Sequence, residues 1–270
     1  LKNIDFFEKD FDIRHSLTDN GLKGFVEDLN NLIKKMNVKY SQNPSLEAGK
    51  FLNENFIERG GKPLLLLLSG GSALGILRHF KVDKWAKYTT LGVCDERFDV
   101  REDVNNFSQL KKTEFFNEAV SYGAKYIDTS VKENDNLYDF SERYRISIEK
   151  WREENPNGDI VTILGMGADG HTAGIMPFPE NPDLFNKLFE DYSFSIVGYD
   201  AGEKSEHPLR ITVNNTFLRE VNLSVVYVAG DEKKEAFNKL LDKEEGIPEI
   251  PARIFYQMKN TSIFTNIGII

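Results

Sequence analysis

Cysteine is nearly absent from this sequence, with Cys94 the single one in 270 residues. One thiol excludes an internal disulfide and any zinc cluster built on several thiolates, and it fits a reducing compartment, with the cytoplasm as the expectation. Long apolar runs are missing too: one of the longest, Leu64–Leu68, falls far short of the roughly 20 residues that a membrane-spanning helix needs. The opening residues mix Lys2, Asp5, Glu8, Lys9 and Asp10 with apolar side chains, a pattern unlike a signal or transit peptide. Positive charge is in short supply, with 34 basic against 43 acidic residues and a net charge of −9. That balance argues against a nucleic acid or a membrane as the main partner. It also means that any anionic ligand must be held by local cations. Repeats, low-complexity tracts and interdomain linkers are absent as well, so residues 1–270 are read as a single domain large enough to bury a full core. The sequence gives no sign of an oligomeric state.

What the chain does contain is a regular alternation of helix and strand patterns. Apolar residues recur at three and four from Leu22 through Phe25, Val26, Leu29, Leu32 and Ile33 to Met36, the spacing of an amphipathic helix. A second helix is expected to start at Ser45, a good N-cap, and to bury Leu46, Phe51 or Leu52, and Phe56 before Gly60-Gly61. Another is expected to carry Phe107, Leu110 and Phe115, and another to run over 136–151, capped by Asn134 or Asp135. Short apolar runs that end in glycine or charge are read as buried strands over 63–68, 90–94, 160–164 and 223–229. Further extended segments are expected near 194–197, 207–213 and 262–265, and further helices near 183–189 and after Gly230. The alternation predicts an α/β fold: a mainly parallel, Rossmann-like sheet with helices on both faces.

Three strand ends carry residues with chemistry in them. The strand over 63–68 runs into Ser69-Gly70-Gly71-Ser72 and then a helical start at Ala73. Strand, Gly-Gly loop and helix N-terminus aim free backbone N–H groups at one spot and so bind anions, although such a turn by itself is also a plain tight connection. The strand over 90–94 ends in Asp95-Glu96-Arg97, with Asn105-Asn106 following. Charges beside a buried strand are costly unless they are used or form an exposed, ion-paired turn. Cys94, one step inside, reads as a small core residue, since no histidine is near it in sequence. The strand over 160–164 delivers Gly165, Met166, Gly167, Ala168, Asp169, Gly170, His171 and Thr172 to the strand end, where open α/β sheets bind ligands. Right-handed crossovers put all three ends on one edge, able to converge on one pocket. Lys233 taken alone reads as part of a solvated helix face. His15 and His79 read as surface residues, and His207 precedes a proline at the mouth of a strand, within reach of the pocket. No histidine pairs with His171 at a metal-ligand spacing, so no metal is expected.

Ser69-Gly70-Gly71-Ser72, Asp95-Glu96-Arg97 with Asn106, the stretch over 164–173, Arg210-Ile211-Thr212, Gly230 with Lys233, and Pro251-Ala252 together resemble the 6-phosphogluconolactonase family, in the family's order. The resemblance implies a fold shared with glucosamine-6-phosphate deaminase and ribose-5-phosphate isomerase, and hydrolysis of 6-phospho-D-glucono-1,5-lactone to 6-phosphogluconate in the pentose phosphate pathway. It implies no metal or organic cofactor. It places Arg210, Lys233 and the Gly70-Gly71-Ser72 backbone around the phosphate and Asp95 and Arg97 at the sugar ring and carbonyl, with Ser69, Asn106 and Gly167 as further substrate-binding positions. His171 is the implied base. The chemistry agrees, because a lactone needs a base to take a proton from water, donors at the developing oxyanion and an acid for the leaving ring oxygen. A histidine, with an unperturbed pKa near about 6.5, can make both proton transfers, and Asp169 would orient it or stabilise its charged form. Ala73 and Leu74 depart from the family's usual Ser-Gly-Gly-Ser-Thr-Pro, which removes a threonine hydroxyl, and the residues after Tyr256 lack its usual tryptophan. The deaminases share Asp-Gly-His but have Asp-Glu-Tyr at the place of 95–97 and a glutamate at the place of Met176, which cannot transfer a proton. A non-catalytic sugar-phosphate sensor would be expected to lose its proton-transfer residue first, and here both His171 and Asp169 are kept.

Overall fold

The structure is a computed structural model that describes residues 36–57, 59–132, 134–242 and 245–268. Apart from Met36, the helix expected over 22–36 lies outside the described residues, as does His15. The strand β2 (Leu64–Leu68) is five leucines, each at most 1% exposed. Because a strand alternates its side chains between two faces, so apolar a run needs cover on both. Leu65 and Leu67 pack into one apolar cluster with Tyr144, Leu164 and Phe237, while Leu64, Leu66 and Leu68 pack into another with Leu52, Val93 and Phe107. Each such burial contributes about 1.5–3 kcal/mol.

Among the described residues β2 lies inside a wholly parallel sheet of seven strands. Their order is β1 (Val38–Tyr40), β10 (Thr261–Thr265), β9 (Leu223–Val228), β6 (Asp159–Gly165), β2, β3 (Thr89–Val93) and β5 (Lys125–Tyr126). The helices α1 (Pro44–Ile57), α2 (Asn106–Lys111) and α3 (Glu114–Ser121), with the 3-10 helix Gly71–His79, cover the face of Leu64. The opposite face is covered by α4 (Leu137–Glu154), α5 (Pro182–Phe189), α6 (Asn215–Glu220) and α7 (Lys234–Leu241). Parallel pairing brings the strand ends to one edge: Leu68 stands opposite Val93 and Ile163, and Gly165 opposite Tyr227.

Several expectations need correcting. Asp95-Glu96-Arg97 is not a turn but the strand β4 (Asp95–Arg97), paired antiparallel with β8 (Leu209–Val213), which in turn pairs with β7 (Ile196–Asp200) in a second sheet. Cys94 is the changeover. Its N–H still donates to Leu68 of the large sheet, while its carbonyl accepts from Val213 of the small one. Its buried thiol is pushed well above the ordinary range by burial and by the charge of Asp95. The helix expected through Phe107 and Phe115 is two, because the first ends at Lys111 with Lys112 as its C-cap and Thr113 caps the next, its side-chain oxygen accepting from the N–H of Phe116. The helix expected to be capped by Ser45 begins at Pro44, so that Ser45 lies inside its first turn; Leu52 and Phe56 are buried as expected, but Leu46 is only half-buried. The N-cap of α4 is Asn136 itself, whose Oδ1 accepts from the N–H of Asp139 at 2.9 Å. A side-chain cap of this kind is worth about 1 kcal/mol. Asn136→Ala is therefore expected to lower unfolding stability by about that much in a urea titration, and Asn134→Ala to leave it unchanged.

Candidate active site

The strand ends form a pocket of about 180 Å³ at the carboxyl edge of the large sheet, closed on one side by the small sheet. Its wall includes Ser69, Gly70, Gly71 and Ser72 after β2, Asp95 and Arg97 of β4, Asn106, Gly167 and His171 after β6, Arg210 of β8, and Lys233 after β9. The residues assigned from the sequence to catalysis or substrate binding lie on this wall except Asp169, which pairs with His171. Gly165, Met166, Ala173 and Gly174 complete it.

The loop after β6 is held on every side. Thr172 Oγ1 donates to the Gly165 carbonyl at 2.7 Å, Gly167 N–H to that of His171 at 2.8 Å, and Ala252 N–H to that of Gly170 at 2.9 Å. Tyr199 donates its hydroxyl to the Gly174 carbonyl at 2.6 Å, and Thr212 donates to the carbonyl of Ala173. Ala173 has φ 48°, a left-handed conformation that a non-glycine residue adopts only where its surroundings impose it. Tyr199 went unnoticed because the extended segment was expected near 194–197 and the residues from Gly198 to Pro208 as loop, whereas β7 runs on to Asp200; Thr212 was visible only as part of Arg210-Ile211-Thr212. Inside the loop, Asp169 Oδ1 lies 2.5 Å from His171 Nδ1 and 3.1 Å from its backbone nitrogen. Burial works to raise the Asp169 carboxyl, but hydrogen bonding and the charge of His171 hold it below the usual carboxylate range. With Nδ1 donating to Asp169, Nε2 is the nitrogen left to exchange a proton with a ligand. Gly167 makes the pairing possible, since a Cβ there would overlap the imidazole and the Asp169 carboxyl.

The other end of the pocket is cationic. Lys233 is only 8% exposed, which corrects its reading as a solvated residue: Gly230, at φ 109°, turns the chain after β9 so that the short 3-10 helix Asp231–Lys233 points inward. Its Nζ donates to Ser72 Oγ at 3.1 Å, and among the described residues no carboxylate forms an ion pair with it. Burial pulls this ammonium below the usual lysine range, opposed by the charge of Glu232. Ser72 belongs to the first turn of a helix, where backbone N–H groups have no partner within the helix. Arg210 is also buried. Its Nη2 donates to Ser205 Oγ at 2.8 Å, its Nη1 stands 3.5 Å from Asp95 Oδ2, and its Nε has no hydrogen-bond partner among the described residues. Arg97 is fixed by a 2.8 Å bond from Nη1 to the Val104 carbonyl. Asn106 donates Nδ2 to the Asp95 carbonyl at 2.9 Å and to its carboxylate at 3.2 Å. It packs so closely on Gly70 that a Cβ there would overlap it.

Some expectations fall elsewhere. His207 is not on the wall, though its carbonyl accepts from Ser205; Ser205 itself had no signal in the sequence. His79 ends the 3-10 helix behind the glycine loop. Ala73 is fully buried in that helix and Leu74 half-buried. Met176 is buried, with its N–H donated to Tyr199 Oη at 3.2 Å.

Buried cations, a glycine loop and a His–Asp pair at the carboxyl edge of a parallel sheet define an α/β protein built around a small anionic ligand. The chain belongs to the family described as glucosamine-6-phosphate isomerases/6-phosphogluconolactonase, whose model matches residues 52–264. It is 25% identical over 207 residues to a probable 6-phosphogluconolactonase of Dictyostelium discoideum, covering 75% of this chain and 78% of that one. It is 28% identical over 200 residues to the 6-phosphogluconolactonase of Bos taurus, covering 68% and 71%. Among solved structures, a 6-phosphogluconolactonase from Shewanella baltica has the same fold, with TM-score 0.65, 21% identity and coverage of 86% and 97%. A monomeric glucosamine-6-phosphate deaminase also has it, with TM-score 0.58, 15% identity and coverage of 85% and 97%.

Gly167→Ala is expected to leave the fold intact by circular dichroism while separating His171 from Asp169. A crystal structure of the variant should then show the contact between His171 Nδ1 and Asp169 Oδ1 broken; an intact contact would mean that the pair does not depend on this glycine.

Proposed function

We propose that this protein hydrolyses 6-phospho-D-glucono-1,5-lactone to 6-phosphogluconate in the cytoplasm, as a single-domain enzyme. The observation that carries the proposal is the presence in one pocket of His171 backed by Asp169 and, apart from them, of the buried Lys233 beside Ser72. One group is suited to moving protons and the other to holding a phosphate. Family membership and the names of the relatives support the same substrate.

In this reading Lys233, Arg210 and the Gly70-Gly71-Ser72 backbone bind the phosphate, which fixes the lactone with its carbonyl toward His171. The imidazole Nε2 takes a proton from water as the water oxygen bonds to C1, and Asp169 stabilises the imidazolium that results. Arg97 faces the negative charge that develops on the carbonyl oxygen. When the tetrahedral intermediate collapses, the bond from C1 to the ring oxygen breaks, and His171 returns the proton to that oxygen. This restores the neutral His171 and leaves a C1 carboxylic acid, which loses its proton to solvent to give 6-phosphogluconate. Asp95 orients the sugar and holds Arg210. A deaminase-like reading is disfavoured by Met176, a buried thioether where ring opening would call for a carboxylate.

Lactone hydrolysis above the spontaneous rate, measured near neutral pH with and without protein, tests the proposal. His171→Asn is expected to fold and to lower kcat by about 10²–10⁴-fold. It should also abolish the fall in kcat/KM on the acid side that a base of this kind gives the wild type. Near-full activity in that variant would move the base elsewhere, with Asp95 the first candidate. Lys233→Ala is expected to raise KM and lower kcat/KM by about 10- to 100-fold, the worth of a charge-assisted hydrogen bond. Unchanged kinetics would remove Lys233 from the phosphate site.

A further inference from the structure

Between Asp95 and Arg97, both on the pocket wall, lies a residue that never reaches it. Glu96 is 0% exposed and points to the opposite side of β4, as the alternation of a strand requires. Its carboxylate takes hydrogen bonds from three segments of chain. Oε1 accepts from the backbone N–H of Arg97 at 2.9 Å and of Asn106 at 2.6 Å, and Oε2 from the N–H of Phe107 at 2.9 Å and the hydroxyl of Thr129 at 3.1 Å. We propose that Glu96 is the positioning residue of the pocket, clamping the start of α2 to β4 so that Asn106 holds the carboxylate of Asp95 and crowds the glycine loop at Gly70. The inference rests on the lactonase reading for the kinetic part of its test.

The clamp works because the chain leaves β4 after Arg97, passes over residues 98–105 and returns at Asn106. Glu96 ties both ends of that excursion. Asn106 then donates Nδ2 twice to Asp95, through its carbonyl and its carboxylate, and Asp95 stands beside Arg210. Through these contacts one hidden side chain reaches two charged groups on the wall. Packing alone does not account for a carboxylate here, since burying it is costly: burial pushes it up to about 8, against the pull of the three backbone N–H groups and with the charge of Asp95 adding to the rise. An apolar residue of the same size would avoid that cost but leave three buried N–H groups without acceptors. Either protonation state of Glu96 keeps the backbone bonds, because the Thr129 hydroxyl is able to turn from donor to acceptor. A glutamine cannot, because its amide nitrogen would face an N–H group whichever way it is turned.

Glu96→Gln is therefore expected to fold while lowering kcat/KM by at least about tenfold, the worth of a hydrogen bond to a charged group. The loss should fall mainly on kcat, because the residue that the clamp holds most directly, Asp95, stands at the sugar ring in the lactonase reading. Asn106→Ala is expected to lower activity by itself, and the double variant to be no worse than Asn106→Ala alone, since two residues in one chain of contacts are not additive. Wild-type kinetics in Glu96→Gln or fully additive losses would each overturn the proposal. If Glu96→Gln does not fold, Thr129→Val removes one of the four donors and should show the same pattern, smaller in size; unchanged kinetics there would count against the clamp. A wild-type protein inactive on the lactone would instead overturn the lactonase reading. The clamp is then judged by the crystal structure of Glu96→Gln, in which Asn106 Nδ2 should have left Asp95; an undisturbed Asn106 would refute it.

Discussion

Positive charge held out of water sets the terms for this pocket. An ion removed from water costs several kcal/mol even after the protein relaxes around it, yet Lys233 and Arg210 are 8% and 7% exposed. Among the described residues the hydrogen-bond partner of Lys233 is a serine hydroxyl, and the carboxylate of Asp95 stands 3.5 Å from Arg210. In a chain with a net charge of −9 acids were available to neutralise both. Among the described residues no carboxylate forms an ion pair with Lys233, and in the proposed reading that place is taken by an anion of the ligand, for which a phosphate group has the charge and the acceptor oxygens.

The backbone supplies what such a pocket needs to stay open. Parallel pairing delivers the ends of β2, β6 and β9 to one edge, and the bend at Cys94 turns the chain out of the large sheet to form a second wall. Asp95 and Arg97 thereby become strand residues with fixed directions rather than the tips of a loop. The His171 loop is restrained in turn by side chains from β7 and β8, through Tyr199 and Thr212. The small sheet carries Arg210 and also steadies the loop of the histidine, so the two ends of the pocket are held at a set distance by one element.

Much of this was legible in the sequence because its signals were local. Five consecutive leucines, or Ile160 to Leu164 between glycines, leave little choice but a buried strand, and parallel strands place the loops that follow them together. The misreadings share a cause. β1 and β5 are three and two residues long without a buried apolar face, and β4 is made of charged residues, so their strand character comes from partners distant in sequence. Lys233 looked solvated because lysine usually is; only the turn at Gly230 and the cover of Ser72 bury it. The cap of α4 was placed one or two residues early because Asn134, Asp135 and Asn136 are all competent caps and only the observed backbone selects among them. Ser205 could not have been found at all, since its bond to Arg210 depends on the path of the segment between β7 and β8.

The proposed division of the pocket into a phosphate end and a proton-transfer end is tested most directly by a crystal structure with 6-phosphogluconate bound. The phosphate is expected within hydrogen-bonding distance of Lys233 Nζ and the Gly71 and Ser72 backbone, with the carboxylate formed from C1 next to His171 Nε2. A product bound in the reverse direction, or bound with its C1 carboxylate remote from His171, would contradict the assignment of the base and the phosphate clamp together.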